Sequence, residues 1–348
     1  MVGPVAFVDV VFVIGPLLPQ FITVALVAVS FGYAALNGYN DAGAIIVGMI
    51  AGRTLRPRQA LLLAAVAEFI GPFLFGVSVA ATIATGIVDP EAVDTSVVAA
   101  AVLGSVFWGF GASSLGMPNS ASHGLVGGLV GAALAAHGLA AVQIAGVARV
   151  VLFLVIAPIL GLVLGFIGTE ALVYWLMQTR ANPGVVRALQ RCSVLSALAF
   201  AVGHGTNNAQ KSMGLIALSL WLIGESATVT VPTWAILGSA AFLSLGVAVG
   251  GQQVVRTINA RLYQLRTMHG LVAAACSAVV IFAATFGGLP ISATQVASMA
   301  VAGAGAADRP SKVRWQVISD ILATWVITIP GAAAVSGGIY LALRLLGM

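Results

Sequence analysis

The sequence predicts an all-α integral membrane protein of about ten to twelve transmembrane segments, built as two inverted-topology repeats with discontinuous, re-entrant helices. Three observations carry that class. The 348 residues are 60% hydrophobic and only 7% charged, where a soluble domain carries about 25% charged residues, and the mean hydropathy is +1.08. Apolar runs of spanning length recur without the alternation of barrel strands. Two polar motifs occur once in each half of the chain, in the same order.

Along the chain, the first motif is FGYAALNGYNDAGA, Phe31 to Ala44, which leads to an exit at Arg53, Arg56 and Arg58. Leu61 to Ile87 then reads as spanning and carries Glu68 in AAVAEFIGPFLFG, deep enough that a functional or paired role is expected. An acidic loop follows with Asp89, Glu91 and Asp94, then the apolar run Val97 to Leu115 and the motif GMPNSASHGLVGG, Gly116 to Gly128. Val142 to Gly168 is again of spanning length. The polar segment QTRANPGVVRALQR, Gln178 to Arg191, marks the boundary between halves. We therefore divide the chain into a first repeat, 1–177, a cytoplasmic linker, 178–192, and a second repeat, 193–348.

The second half repeats the pattern. FAVGHGTNNAQKS, Phe200 to Ser212, answers the first motif with an aromatic, a glycine-flanked Asn and a second amide in the place of Asp41. After the apolar run Leu271 to Thr285, GLPISATQVASMAVAG answers the second motif. The spacing from Asn40 to Pro118 is close to that from Asn207 to Pro290. Equivalent loops carry opposite charge. Arg53, Arg56 and Arg58 follow the first signature, whereas Glu225 is the charge after the second; the acidic loop of the first half corresponds to Arg256, Arg261 and Arg266 of the second. With basic loops inside, the halves take opposite orientations.

Helix-breaking Gly and Pro at matching places point to broken helices, tolerated at membrane depth where freed backbone faces protein or a water-filled cavity. A helix starting after Pro118 or Pro290 offers free amide N–H groups and its positive dipole end to an anion. Ser120, Ser122, Ser292 and Thr294 add hydroxyls there, and Asn40, Asn207 and Asn208 can donate to an oxyanion or offer a carbonyl to a cation. Asp41, the one carboxylate in the motifs, suits a coupling cation or a proton. The bland readings stand beside these: polar residues as interhelical hydrogen bonds, His123 and His204 as packing donors as readily as proton relays, and Lys211 as a snorkelling surface lysine as readily as a partner for substrate charge. Cys192 and Cys276 lack metal spacing and read as small hydrophobes. The formal charge of +5 is scattered between spans and does not suggest nucleic acid. No signal peptide is expected, since the first apolar run has no basic n-region.

These residues resemble the inorganic phosphate transporter (PiT) family, over nearly the whole chain. NGYNDAGAIIVGMIAGRTLRPRQALLLAAVAEFIGPFLFG, GMPNSASHGLVGGLVGA, GHGTNNAQKSMGLIALSL, GGQQVVRTI, GGLPISATQV and KVRWQVISDILATWVITIP carry the likeness. The resemblance implies a multi-pass plasma-membrane symporter of inorganic phosphate with Na+ or H+, not an enzyme, with no cofactor beyond the coupling ion and no metal site other than one for sodium. It assigns substrate binding to Asn40, Asp41, Ser120, Ser122, Asn207, Asn208, Gln210, Ser292 and Thr294, and the coupling ion to Asp41, Asn208 and Glu68.

Departures from the family pattern are concentrated in the second half. Asn208 stands where the family usually has Asp, and the family's Pro-x-Ser-Thr-Thr-His reads Ser120-Ala121-Ser122-His123 in the first half and Ser292-Ala293-Thr294-Gln295 in the second, so that both have Ala in place of a hydroxyl residue and the second has also lost the histidine. The Asn-Asn and Thr-Gln pairs also resemble a sulfate-permease branch, so a sulfate or related oxyanion permease is the alternative substrate reading. Membrane-embedded enzyme and channel readings are weaker: no nucleophile is paired with a base by more than proximity in sequence. Small-residue helix faces admit a homodimer.

Overall fold

The computed structural model describes residues 18–51, 55–115, 117, 120–179, 183–261, 267–313 and 315–347. Arg53, Arg266 and Pro118 lie outside them. The described chain is helical: α1 (Leu18–Ala51), α2 (Pro57–Ile70), α3 (Ser78–Thr85), α4 (Thr95–Ser114), α5 (Ala121–His137), α6 (Ile144–Gln178), α7 (Pro183–Leu222), α8 (Thr233–Arg261), α9 (Thr267–Phe286), α10 (Ala293–Asp308) and α11 (Trp315–Leu345). Helix α7 begins at Pro183, so residues 183–192 of the expected linker 178–192 are its first turns. Among the described residues eight helices are long and apolar enough to cross a membrane, or up to nine with the bent pair of α2 and α3 as one span. That compares with about ten to twelve segments expected from sequence. The difference lies in the interrupted elements: α2, α3 and α10 have 14, 8 and 16 residues, too short to cross unaided.

Local chemistry explains the interruptions. Helix α2 runs into a 3-10 turn at Gly71–Phe73, where Pro72 removes a backbone donor. The chain turns at Gly76, φ 70°, and α3 leaves at 72° to α2. Helix α9 ends at Phe286 and the chain turns at Gly288, whose φ of 68° suits glycine best, and residues 289–292 run without helix to α10. Pro158 and Pro330 sit inside α6 and α11.

Packing crosses between the halves: α5 lies along α11, α10 along α6, α1 along α8, and α7 along α2 and α3. Glycines permit the approach. A Cβ on Gly127 or Gly131 would strike the α11 backbone at Ile329 or Ala333, and one on Gly165 or Gly303 the backbone at Ala300 or Leu162. One apolar cluster gathers Ile22, Ile87, Val93, Val142, Val229 and Leu343, so the start of α1, the end of α3, the start of α6, the loop after α7 and the end of α11 share one end of the molecule. Leu55 belongs to a different cluster, with Ile50 and Leu198. The outer faces are apolar, with Phe107, Phe110, Ile167 and Val326 exposed, as lipid contact requires. Exposed Trp234 and Trp315 stand at the starts of α8 and α11, where interfacial aromatics anchor spans.

Candidate substrate and coupling site

Helix α7 carries the centre of the site. His204 and Asn208 are one turn apart, as are Asn207 and Lys211, so the four side chains cover adjoining strips of one helix face. All four are buried. Gly205, between them, lies directly against the α2 backbone at Glu68, which brings α2 close enough for its carboxylate to meet α7.

His204 joins two carboxylates from the first half. Its Nε2 is 3.1 Å from Asp41 Oδ2 and its Nδ1 2.8 Å from Glu68 Oε1. Asn208 Nδ2 donates to Asp41 Oδ2 at 3.2 Å and lies 2.6 Å from His204 Nε2. Glu68 is wholly buried, while the Asp41 side chain keeps 15% of its surface accessible. Glu68 Oε2 has no hydrogen-bond partner among the described residues, nor have Asn37 Nδ2 and Gln210 Nε2. A buried polar group left so costs about 1–3 kcal/mol.

Asn207 holds the second hairpin. Its Nδ2 donates to Thr285 Oγ1 at 3.0 Å and to the Leu289 carbonyl at 3.1 Å, and its Oδ1 accepts from Ile291 N at 3.2 Å. One amide thus satisfies the unwound backbone on both sides of Pro290, the accounting that broken helices demand in a membrane. Helix α3 clips the same turn: Ser78 Oγ donates to the Thr285 carbonyl at 2.7 Å and Thr82 Oγ1 to the Gly288 carbonyl at 2.5 Å.

The two hairpins meet at Lys211. Ser122, in the first turn of α5, donates through Oγ to the Ile291 carbonyl at 2.7 Å. Lys211 Nζ donates to Ser122 Oγ at 2.6 Å, to the Ile291 carbonyl at 3.1 Å, and to Asn208 Oδ1. Lys211 is 1% exposed, so the snorkelling alternative gives way to a lysine held inside the protein.

The remaining sequence-predicted residues divide. Ser120 is the N-cap of α5, accepting from His123 N at 3.3 Å and lying 2.7 Å from His123 Nδ1. Ser292 precedes α10 and its Oγ is 3.5 Å from Thr294 Oγ1. Gln210 Oε1 accepts from Val79 N at 2.7 Å and Ala80 N at 3.2 Å, capping α3. Asn40 is exposed, outside this network. Sequence reasoning left His204 and Lys211 undecided. Their signal was the one-turn spacing from Asn208 and Asn207, but the partners that fix their roles come from the other half. Among the described residues no group of three or more His, Cys, Asp or Glu is placed to hold a metal ion.

Residues 37–336, which span both signatures and both hairpins, match the model of the phosphate transporter family. The chain belongs to this family. Its relatives include a probable low-affinity inorganic phosphate transporter of Rhizobium meliloti (strain 1021), 37% identical over 92% of this chain and 96% of the relative. A protein of the same description from Bacillus subtilis (strain 168) is 33% identical over 93% and 98%. A solved structure described as "The sodium-dependent phosphate transporter" superposes with a TM-score of 0.83 at 25% identity, covering 94% of this chain and 100% of that one. The family and these relatives are transporters rather than enzymes, and the chain is a multi-pass membrane protein.

Proposed function

We propose that the chain is a cation-coupled symporter of inorganic phosphate that works by alternating access, with 1–177 and 193–348 as inverted repeats joined by 178–192. The observation that carries this reading is the meeting of the two hairpins: Ser122 of the first and Ile291 of the second are joined directly and share the Lys211 ammonium. Helices α5 and α10 begin there, and a helix start favours an anion. The anion would be held by Asn207, Asn208, Ser120, Ser122, Ser292 and Thr294, with Asn40 and Gln210 at its margins. Asp41, Glu68 and Asn208 supply the oxygen-bearing side for a sodium ion or proton, and partly accessible Asp41 is the entry point.

Because the contact that closes the site joins the two halves, moving one half against the other must open it. That is the mechanical requirement of alternating access. The names of the relatives support phosphate as the substrate, and the sodium dependence of the solved neighbour supports sodium as one candidate for the coupling ion.

The test is uptake of radiolabelled phosphate into proteoliposomes under imposed sodium or proton gradients in turn, with sulfate as competitor. Saturable, gradient-driven accumulation that ignores excess sulfate is expected. Sulfate transport without phosphate uptake would move the chain to the oxyanion-permease reading.

A further inference from the structure

The surroundings of Lys211 Nζ are those of an alkali cation. Three oxygens of different origin converge on it: the amide oxygen of Asn208, the hydroxyl of Ser122 and the backbone carbonyl of Ile291. Ser122 spends its own proton on the Ile291 carbonyl, so towards the lysine its oxygen can only accept. Asn208 spends Nδ2 on Asp41, which turns its oxygen to the lysine. Three acceptors need three donor hydrogens, and an ammonium has three and no lone pair. The nitrogen is therefore a buried cation in an all-oxygen cage, one ligand of which is the unwound carbonyl of a broken helix, the kind of group that coordinates sodium in discontinuous-helix transporters.

We propose that the Lys211 ammonium is a tethered cation filling a site with the ligand chemistry of a sodium ion, so that the protein supplies from its own chain one positive charge that would otherwise be drawn from solution. This rests on the symporter reading above and refines its ion count. The chain length supports the assignment: from α7 the lysine reaches both hairpins, so its charge is present in each transport cycle without binding or release. It follows that removing the lysine unmasks a sodium site rather than merely weakening substrate binding.

The test counts sodium on the purified protein without phosphate, so that it reads the site independently of transport. Binding of 22Na+ and thermal melting in sodium chloride against choline chloride are compared for the wild type, Lys211→Ser and Lys211→Asn. The expected result is one more sodium bound per chain in the variants than in the wild type, with sodium raising the melting temperature further in the variants than in the wild type. Adding Ser122→Ala to Lys211→Ser should remove the extra sodium. Variants that bind no more sodium than the wild type, and whose melting responds to sodium over choline no more than the wild type's, overturn the proposal whatever their stability. In liposomes, phosphate uptake by Lys211→Asn should need sodium at one more ion per phosphate than the wild type. Wild-type liposomes that take up no phosphate would refute the symporter reading instead and leave the sodium count standing.

Discussion

At the scale of single residues, the site sets two carboxylates against one imidazole and one ammonium, and the carboxylates differ in access. Glu68 is sealed between α2 and α7, whereas Asp41 retains contact with the outside of the network. In the symporter reading proposed above, Asp41 is therefore the carboxylate that an ion from solution would meet first. Replacing it with Asn keeps the shape but removes the charge facing His204 and Asn208, at a depth where a charge costs about 2.5–3.5 kcal/mol and is retained for function. Asp41→Asn should lower gradient-driven phosphate uptake about a hundredfold, the effect of ~2.7 kcal/mol lost in the transport step. Its elution from size exclusion and its melting temperature should stay near those of the wild type. Uptake with unchanged cation dependence would remove Asp41 from coupling. The residue identities at this scale were readable in the sequence for Asp41, Ser122, Asn207 and Asn208, since polar groups stand out in an apolar chain. Lys211 and His204 were not readable, because a lysine that snorkels and one that is caged look alike until the distant Ile291 carbonyl and Glu68 are in place.

At the scale of elements, the site depends on how closely α7 can approach α2. Gly205 has no side chain to hold the two apart, and an added Cβ would collide with the Glu68 backbone, which cannot yield without moving α2. Gly205→Ala should therefore lower the melting temperature in detergent, with the ~1–3 kcal/mol typical of overpacking, and separate Glu68 from His204. Gly32→Ala serves as control: no atom lies within 4 Å of its added Cβ, so the variant should be neutral or slightly stabilised by the better helix former. Equal losses in both variants would mean that glycine content, not the α7 to α2 contact, sets the effect. The existence of most helices was legible because apolar length is a strong signal. The bend after Ile70 was less so, since Gly71 and Pro72 resemble the Gly and Pro that sit harmlessly elsewhere. Gln210 shows the same limit, as its pairing with the first turn of α3 is formed across more than a hundred residues of chain.

At the scale of the whole molecule, the distribution of charge follows the distribution of ends. Asp89, Glu91 and Asp94 lie in the loop whose neighbours Ile87 and Val93 cluster with Val229, close to Glu225 in sequence. Leu55, beside Arg56 and Arg58, belongs to another cluster, with Leu198 of α7. Under the positive-inside rule, the inverted-repeat reading expects the acidic cluster to face outward. The decisive pair is Arg58 and Glu225, since each follows the signature helix of its own half. Two repeats in the same orientation would place them on one side of the membrane, and inverted repeats would place them on opposite sides. Both positions are exposed, as are Glu91 and Arg191, so single cysteines there, with Cys192 and Cys276 changed to Ala, can be read with a membrane-impermeant maleimide. Intact cells should label Glu91→Cys and Glu225→Cys, and permeabilisation should be needed for Arg58→Cys and Arg191→Cys. Labelling of Arg58→Cys and Glu225→Cys from the same side would rule out inversion, and the exchange of packing partners between halves would then need a different origin.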